Sequence, residues 1–141
     1  MSVYPFVLNE FDGTNIFLDC YRWDEQGFCI IYLDDVPSKA KSQAAVIFKP
    51  DVLSIRITHA SQSWKIEERM DSFRSQLPAG AIPYPCMFVM TQSEYIDWYR
   101  DTETIDNIHR LASLKHFSLF VDDTLIEIID DRNPEIAVSV L

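Results

Sequence analysis

The sequence predicts a single α+β domain, residues 1–141, with an antiparallel sheet built from hairpins and two or three helices packed on it. Three observations predict this fold class. Short apolar segments with alternating polar residues are separated by turn signals, as in antiparallel strands. Two other segments carry apolar residues at helical spacing. No internal repeat or change of composition divides the 141 residues, a length that suits one domain.

The first predicted hairpin joins residues 15–23 to residues 28–33 across the turn Asp24-Glu25-Gln26-Gly27. With Trp23 opposite Phe28, the alternation of side chains along each strand defines two faces. The expected core face contains Ile16, Leu18, Cys20, Arg22, Cys29, Ile31 and Leu33. The other face is aromatic and contains Phe17, Asp19, Tyr21, Trp23, Phe28, Ile30 and Tyr32.

A second hairpin is predicted from residues 44–49 and 52–58, with residues 34–43 before it as a surface loop. The connecting turn is Lys49-Pro50-Asp51-Val52, where proline suits the second position of a type I turn. Pairing across this turn gives one wholly apolar face, so the sequence indicates a half-buried antiparallel sheet. The expected pairs are Phe48 with Leu53, Val46 with Ile55 and Ala44 with Ile57.

Two helices are predicted around a buried strand at residues 86–90. The first is capped by Ser63 and ends before Pro78. Its apolar stripe consists of Ile66, Met70, Phe73 and Leu77. The second begins at a capping box, Thr91-Gln92-Ser93-Glu94, and carries Tyr95, Trp98 and Tyr99 on one side. The pattern leaves open whether it continues through Ile105, Ile108 and Leu111.

The last third predicts a hairpin from residues 115–121 and 124–129, and a terminal strand at residues 136–141. Asp122 and Asp123 form its turn, because aspartate tolerates the backbone angles of a two-residue connection. Asp130 and Asp131 follow the second strand, about 23 Å from the turn at strand spacing. One ion therefore cannot bind both pairs, and we expect solvated carboxylates at the strand ends.

The charge of the chain restricts the classes of partner. Twenty-two acidic residues against twelve basic ones give a formal net charge of −10, which repels phosphate backbones and anionic lipids. We therefore expect a basic protein as partner, and neither nucleic acid nor membrane. The apolar run at residues 28–33 is far shorter than the roughly 20 residues that span a bilayer. The N-terminal residues do not resemble a secretory signal, so we expect the cytoplasm.

No pattern of catalytic, cofactor-binding or metal-ligating residues is recognisable, and we expect no cofactor. Cysteines at positions 20, 29 and 86 lack Cys-x-x-Cys spacing, which favours buried thiols in a reducing compartment. His59, His109 and His116 are isolated from one another. Glycines only at positions 13, 27 and 80 exclude a glycine-rich phosphate loop. The sequence favours a non-enzymatic protein.

The first hairpin carries the candidate partner-binding surface, since rigid aromatic side chains beside carboxylates are typical of recognition patches. The alternative is that the helix with Tyr95, Trp98 and Tyr99 covers this face as core. The candidate residues are Phe17, Asp19, Tyr21, Trp23, Phe28, Tyr32, Asp34 and Asp35.

In size and composition the chain resembles the small acidic bacterial immunity proteins that neutralise toxins, which are often basic nucleases. This resemblance implies a non-enzymatic protein that binds a basic toxin, and it transfers no residue. One alternative is a metal-assisted hydrolase that uses scattered Asp and Glu residues with His59, His109 or His116. Another is a homo-oligomeric structural protein that pairs through the aromatic face or through residues 136–141.

Overall fold

The computed structural model describes residues 3–5, 16–34, 40–59, 68, 71, 75, 86–102 and 109–141. Within these residues nine strands, one α-helix and a short 3-10 helix have defined bounds. The strands are β1 (Val3–Pro5), β2 (Ile16–Asp24), β3 (Gly27–Asp34), β4 (Ser42–Phe48), β5 (Ser54–His59), β6 (Cys86–Met90), β7 (Lys115–Val121), β8 (Thr124–Asp130) and β9 (Glu135–Val140). Helix α1 is Glu94–Thr102, and the 3-10 helix is Leu111–Ser113.

The strands form two antiparallel sheets that share one core. The five-stranded sheet has the order β1-β6-β7-β8-β5, and the four-stranded sheet has the order β2-β3-β4-β9. Apolar side chains of β3 and β4 lie in the same buried cluster as those of β7 and β8. The rings of Phe48 and Phe117, one from each sheet, meet edge to face with centroids 5.1 Å apart. The described residues therefore form a two-layer arrangement of sheets.

The predicted α+β fold, with two or three helices packed on one sheet, was wrong: the chain is mostly antiparallel strand in two sheets, with a single helix of defined bounds among the described residues. Helix α1 covers the outer face of the five-stranded sheet, where Tyr95, Ile96 and Tyr99 pack with Ile129. The helix expected from Ser63 lies outside the described residues, apart from three helical, exposed positions. These are Glu68, Asp71 and Ser75. No helix in the described ranges is long and apolar enough to cross a membrane.

The predicted second hairpin is also corrected, because its two strands lie in different sheets. Strand β4 pairs with β3 and β9, whereas β5 pairs with β8. The turn itself is present, since Val52 N donates to Lys49 O over 3.1 Å. Immediately afterwards Leu53 N donates to Ile129 O in the other sheet, also over 3.1 Å. The chain therefore crosses between the sheets where the sequence suggested that it folds back.

The turn between β7 and β8 has the predicted form. Asp122 and Asp123 have φ values of 57° and 58°, and both are exposed. Two successive residues at positive φ define the type I′ geometry, whose twist matches that of the flanking strands. Among described residues other than glycine, positive φ occurs only at these two positions.

Replacing Asp123 with glycine is expected to raise the free energy of unfolding by about 0.5–1 kcal/mol, because glycine is preferred at the second position of this turn. Urea denaturation measures the change. The control is Glu25→Gly in the exposed β2–β3 turn, where positive φ is not required and glycine should destabilise. A loss of stability in both variants would contradict the assigned turn geometry.

Asp130 and Asp131 are not simple solvated strand ends, and the structure corrects that expectation. The Asp130 carboxylate is 1 % exposed and lies 2.6 Å from Arg110 Nη2 and 3.3 Å from Arg132 Nη2. Arg110 also binds Asp131, and Arg132 binds Asp51 in the β4–β5 turn. The cluster therefore joins the β4–β5 turn, the segment before the 3-10 helix and the end of β8.

The three carboxylates of this cluster respond differently to their surroundings. Burial raises the pKa of Asp130. Burial also opposes the charge of Asp131, but its hydrogen bonds and the positive charge of Arg110 together outweigh burial and lower the pKa. The hydrogen bond from Arg132 lowers the pKa of Asp51. Each carboxylate has an arginine partner, so the group is a structural ion-pair network.

Candidate functional site

Strand β2, which carries most of the predicted partner-binding residues, lies at an edge of the four-stranded sheet. It pairs antiparallel with β3 in the predicted register, with Trp23 opposite Phe28. The register shifts between Leu18 and Cys20, where Asp19 forms a β-bulge. A bulge adds one residue to one strand, so side chains beyond it exchange faces relative to a regular strand.

The bulge changes which residues share a face. Tyr21, between the bulge and the turn, lies opposite Ile30, whereas Leu18, on the other side of the bulge, lies opposite Tyr32. Because directly opposed residues share a face, Tyr21 and Leu18 both lie on the side of the buried residues of β3. Phe17, opposite Leu33, lies on the outer side. The regular alternation expected for β2 is thereby corrected.

The predicted assignment of core and surface on β3 is reversed. Phe28 and Tyr32 are 2 % and 1 % exposed and belong to the core between the sheets. Burial raises the pKa of the Tyr32 hydroxyl. Residues of the five-stranded sheet, and not α1, cover this face. Phe28 and Tyr32 therefore leave the candidate surface.

The two remaining acidic candidates cannot be assigned to this surface. Asp34 ends β3, but its side chain lies outside the described part of the structure. Asp35 lies outside the described residues altogether.

Four predicted residues do lie together on the exposed edge strand. We call Phe17, Asp19, Tyr21 and Trp23 the β2 edge surface. The three aromatic side chains are 46 %, 41 % and 60 % exposed in that order, and Asp19 is also exposed. Exposed aromatic side chains grouped on one strand are uncommon, because burial in a core is their usual role.

Contacts with the core support two of these rings. The Tyr21 and Phe28 ring centroids are 6.2 Å apart, and Trp23 meets Phe28 edge to face at 6.5 Å. Phe28 is itself buried in the core. Its ring therefore supports both exposed rings from one side and leaves their other sides accessible to solvent. Rings supported in this way lose little conformational entropy when a partner binds.

The charge around the β2 edge surface is negative. Asp19, Asp24 and Glu25 are exposed on β2 and on the turn that follows it. Arg22 is the one basic residue in β2 and lies 3.2 Å from Asp24 in an exposed ion pair. Three carboxylates against one guanidinium leave an excess of two negative charges there. This local charge has the same sign as that of the whole chain.

A second group of polar residues, which the sequence did not reveal, lies between α1 and the five-stranded sheet. His116 Nε2 donates to Glu127 Oε2 over 2.7 Å, and His116 Nδ1 lies 2.9 Å from Ser93 Oγ. The guanidinium of Arg56 donates to Glu127 Oε1 over 3.0 Å and 2.8 Å. The same guanidinium lies 4.2 Å above the ring of Tyr95. We call Ser93, His116, Glu127, Arg56 and Tyr95 the α1 anchor.

The order of groups in the α1 anchor, hydroxyl to imidazole to carboxylate, is also that of a serine hydrolase relay. Its surroundings favour a structural role. His116 and Glu127 are 3 % and 1 % exposed. Ser93 Oγ also accepts the backbone N–H of Ile96 over 3.1 Å and so caps α1. Its oxygen therefore serves the helix, and the anchor holds α1 on the sheet.

Two further serines, Ser54 and Ser118, lie beside the α1 anchor. Tyr95 OH lies 2.6 Å from Ser54 Oγ, and burial raises the pKa of Tyr95. Ser118, directly opposite Glu127 in the β7–β8 ladder, is fully buried. Its hydroxyl has no hydrogen-bond partner within the described ranges. The signal in the sequence was Glu127 itself, a charged residue that shares a face with the buried Leu125 and Ile129.

The three histidines do not meet. His59 lies opposite Thr124 and His116 opposite Ile129, so five residues, or about 17 Å, separate them along the sheet. His109 is exposed before the 3-10 helix. In the described part of the chain no group of three His, Cys, Asp or Glu residues is arranged to hold a metal ion.

The side chains of Cys20 and Cys29 are described, and both are free thiols. Cys20 is exposed and Cys29 is buried. Burial raises the pKa of Cys29, which keeps that thiol protonated.

Comparisons with protein-family models, with curated proteins and with solved structures found no match to this chain.

Proposed function

We propose that this protein is a small non-enzymatic binding domain of the bacterial immunity type, which uses the β2 edge surface to hold a basic protein such as a toxin. One observation carries the proposal: Phe17, Tyr21 and Trp23 are large, aromatic and exposed on a single edge strand. The negative charge beside them selects the class of partner.

The aromatic residues would supply most of the binding energy. Tyrosine and tryptophan dominate the energetics of protein interfaces, because each buries a large area at small entropic cost. Trp23, the most exposed of the three, directly precedes Asp24 in β2 and is supported by Phe28. It is therefore the proposed centre of the interface.

The acidic residues would supply attraction and selectivity. A net charge of −10 accelerates the encounter with a cationic protein and discourages anionic partners. Many nucleases are basic because they bind phosphate backbones, and such an enzyme would be a suitable partner. The cytoplasm is the proposed compartment, since Cys20 and Cys29 are free thiols.

Replacing Trp23 with lysine is expected to weaken partner binding about 30-fold, which corresponds to the roughly 2 kcal/mol of an interface hot spot. The matched control is Trp98→Lys on α1, because Trp98 is 55 % exposed against 60 % for Trp23. The wild type and both variants would be used as baits in extracts of the native cell. The affinity of the recovered protein would then be measured by titration calorimetry.

The proposal predicts that the wild type and Trp98→Lys recover the same basic protein, that Trp23→Lys loses it, and that one equivalent of wild type inhibits its enzymatic activity. Equal recovery by all three baits would place the interface elsewhere. Recovery of no protein by any bait would count against a binding function.

A second candidate function is self-association through β9, the opposite edge strand of the same sheet. Ile136 and Val140 are 38 % and 73 % exposed there, and Leu141 beyond the strand is 66 % exposed. An exposed apolar edge strand is a common site of pairing between copies of a chain. Light scattering at two concentrations distinguishes the candidates, since self-association raises the apparent mass with concentration.

A further inference from the structure

We infer that the partner contributes an extended, positively charged segment that pairs as an additional strand with the edge of β2 opposite β3. This inference rests on the proposed function and specifies how the β2 edge surface is occupied. Strand addition to an exposed sheet edge combines main-chain hydrogen bonds, which give affinity, with alternate side chains, which give selectivity.

β2 is the longest of the edge strands with defined bounds, and its segment beyond the bulge at Asp19 is regular. β2 has nine residues, whereas the other edge strands, β1, β5 and β9, have three, six and six. It pairs with β3 on one side, and no strand in the described ranges pairs with its other side. Residues 20–24, beyond the bulge, pair with β3 without a further shift of register. In this segment every second residue directs its backbone N–H and C=O away from β3.

Aromatic side chains at this edge lie on both faces of the sheet. Tyr21 and Trp23 lie on the core-facing side of the sheet, and Phe17 lies on the outer side, as their partners Ile30, Phe28 and Leu33 establish. Side chains of an added strand alternate between the same two sides. They would therefore meet exposed rings on both, at the spacing of cross-strand pairs.

Charge decides between the two occupants that could pair with such an edge. A second copy of this chain would bring another net charge of −10 to an edge that already carries Asp19, Asp24 and Glu25. Like charges opposite one another in a sheet are destabilising. A segment with lysine or arginine at alternate positions would instead pair with these carboxylates. The occupant is therefore a cationic segment of a different protein.

A nine-residue peptide of alternating lysine and valine is a suitable probe. Two forms methylated on the backbone nitrogen, one at every lysine and one at every valine, keep the charge but lose one set of N–H donors. In a strand only one of these sets faces a given neighbour. The unmodified peptide is expected to bind, one methylated form to bind at least about 10-fold more weakly, and the other within about 3-fold.

Two controls establish where and why the peptide binds. Trp23→Lys is expected to weaken binding of the unmodified peptide at least about 10-fold, whereas Trp98→Lys leaves it unchanged. A peptide of alternating glutamate and valine is expected not to bind. Equal binding of the glutamate and lysine peptides would overturn the charge argument.

The outcomes separate this inference from the proposed function. Equal affinity of the two methylated peptides would overturn strand pairing. Absence of peptide binding would also overturn strand pairing if a basic protein still binds through Trp23. In that case the proposed function would stand. If no basic protein binds through Trp23, the proposed function fails, whatever the peptides show.

Discussion

Replacing Glu127 with leucine is expected to lower the free energy of unfolding by about 1–3 kcal/mol, the cost of leaving a buried hydrogen-bonding group without its partner. Glu127 accepts hydrogen bonds from His116 and Arg56, and its side chain is 1 % exposed. Without it the His116 ring loses the acceptor of its Nε2–H in a buried position, and Arg56 loses the group that holds it over Tyr95.

Urea denaturation of three variants measures this effect and its origin: Glu127→Leu, His116→Leu and the double substitution. Removing both partners leaves no unsatisfied group between them, so the double variant should be clearly more stable than the sum of the single losses predicts. Strictly additive losses would show that the two residues do not interact, and would contradict the assignment of the α1 anchor as a cooperative structural unit.

Replacing Gly27 with alanine is expected to destabilise the protein by about 3–5 kcal/mol, from backbone strain and overpacking together. Gly27 has φ +125°, a region that side-chain-bearing residues rarely adopt. A Cβ atom at this position would also overlap the backbone oxygen of Phe48 on the neighbouring strand. Backbone atoms cannot move aside as a flexible side chain would, so the strands must separate.

Thermal and urea denaturation of Gly27→Ala would be compared with those of Gln26→Ala, in the same exposed turn. The control should change the free energy of unfolding by no more than about 0.5 kcal/mol, as surface substitutions do. This turn connects β2 to β3, so Gly27→Ala should also weaken partner binding by disturbing the strand that carries Trp23. Equal stability of the two variants would contradict the close contact between Gly27 and β4.

Local signals in the sequence predicted individual elements well. The bounds of β6 and β7 agree with the prediction, because each strand is a short apolar segment next to clear turn or cap residues. The Asp122-Asp123 turn followed from the backbone preferences of aspartate. The register of the first hairpin between its turn and the bulge at Asp19 followed from the turn, since a short turn fixes which residues are opposed.

Features that depend on contacts distant in sequence could not be predicted in the same way. Alternation along β4 and β5 identifies an apolar face in each strand but not the strand that pairs with it. The bulge at Asp19 leaves no local signal, although it moves Leu18 to the core-facing side. Which face of β3 is buried depends on the five-stranded sheet that covers it, so the expected roles of its two faces were reversed.

The α1 anchor shows the same limit at the level of side chains. A carboxylate at position 127, between apolar residues of a strand, indicates a buried ion pair. Its partners Arg56 and His116 are 71 and 11 residues away in sequence. Their identity follows only from the order β7-β8-β5 in the sheet. The aromatic residues of β2, by contrast, were singled out from the alternation of side chains along the predicted hairpin, although that pattern left open whether they are core or surface.

Amide hydrogen exchange, measured with and without the basic protein recovered by wild-type bait, tests the central claim most directly. Binding at the β2 edge surface predicts slower exchange in β2 when the partner is present, with unchanged exchange in α1 and at Ser93. Slower exchange around α1 and the α1 anchor, with β2 unaffected, would contradict it and would place the interaction on the opposite sheet.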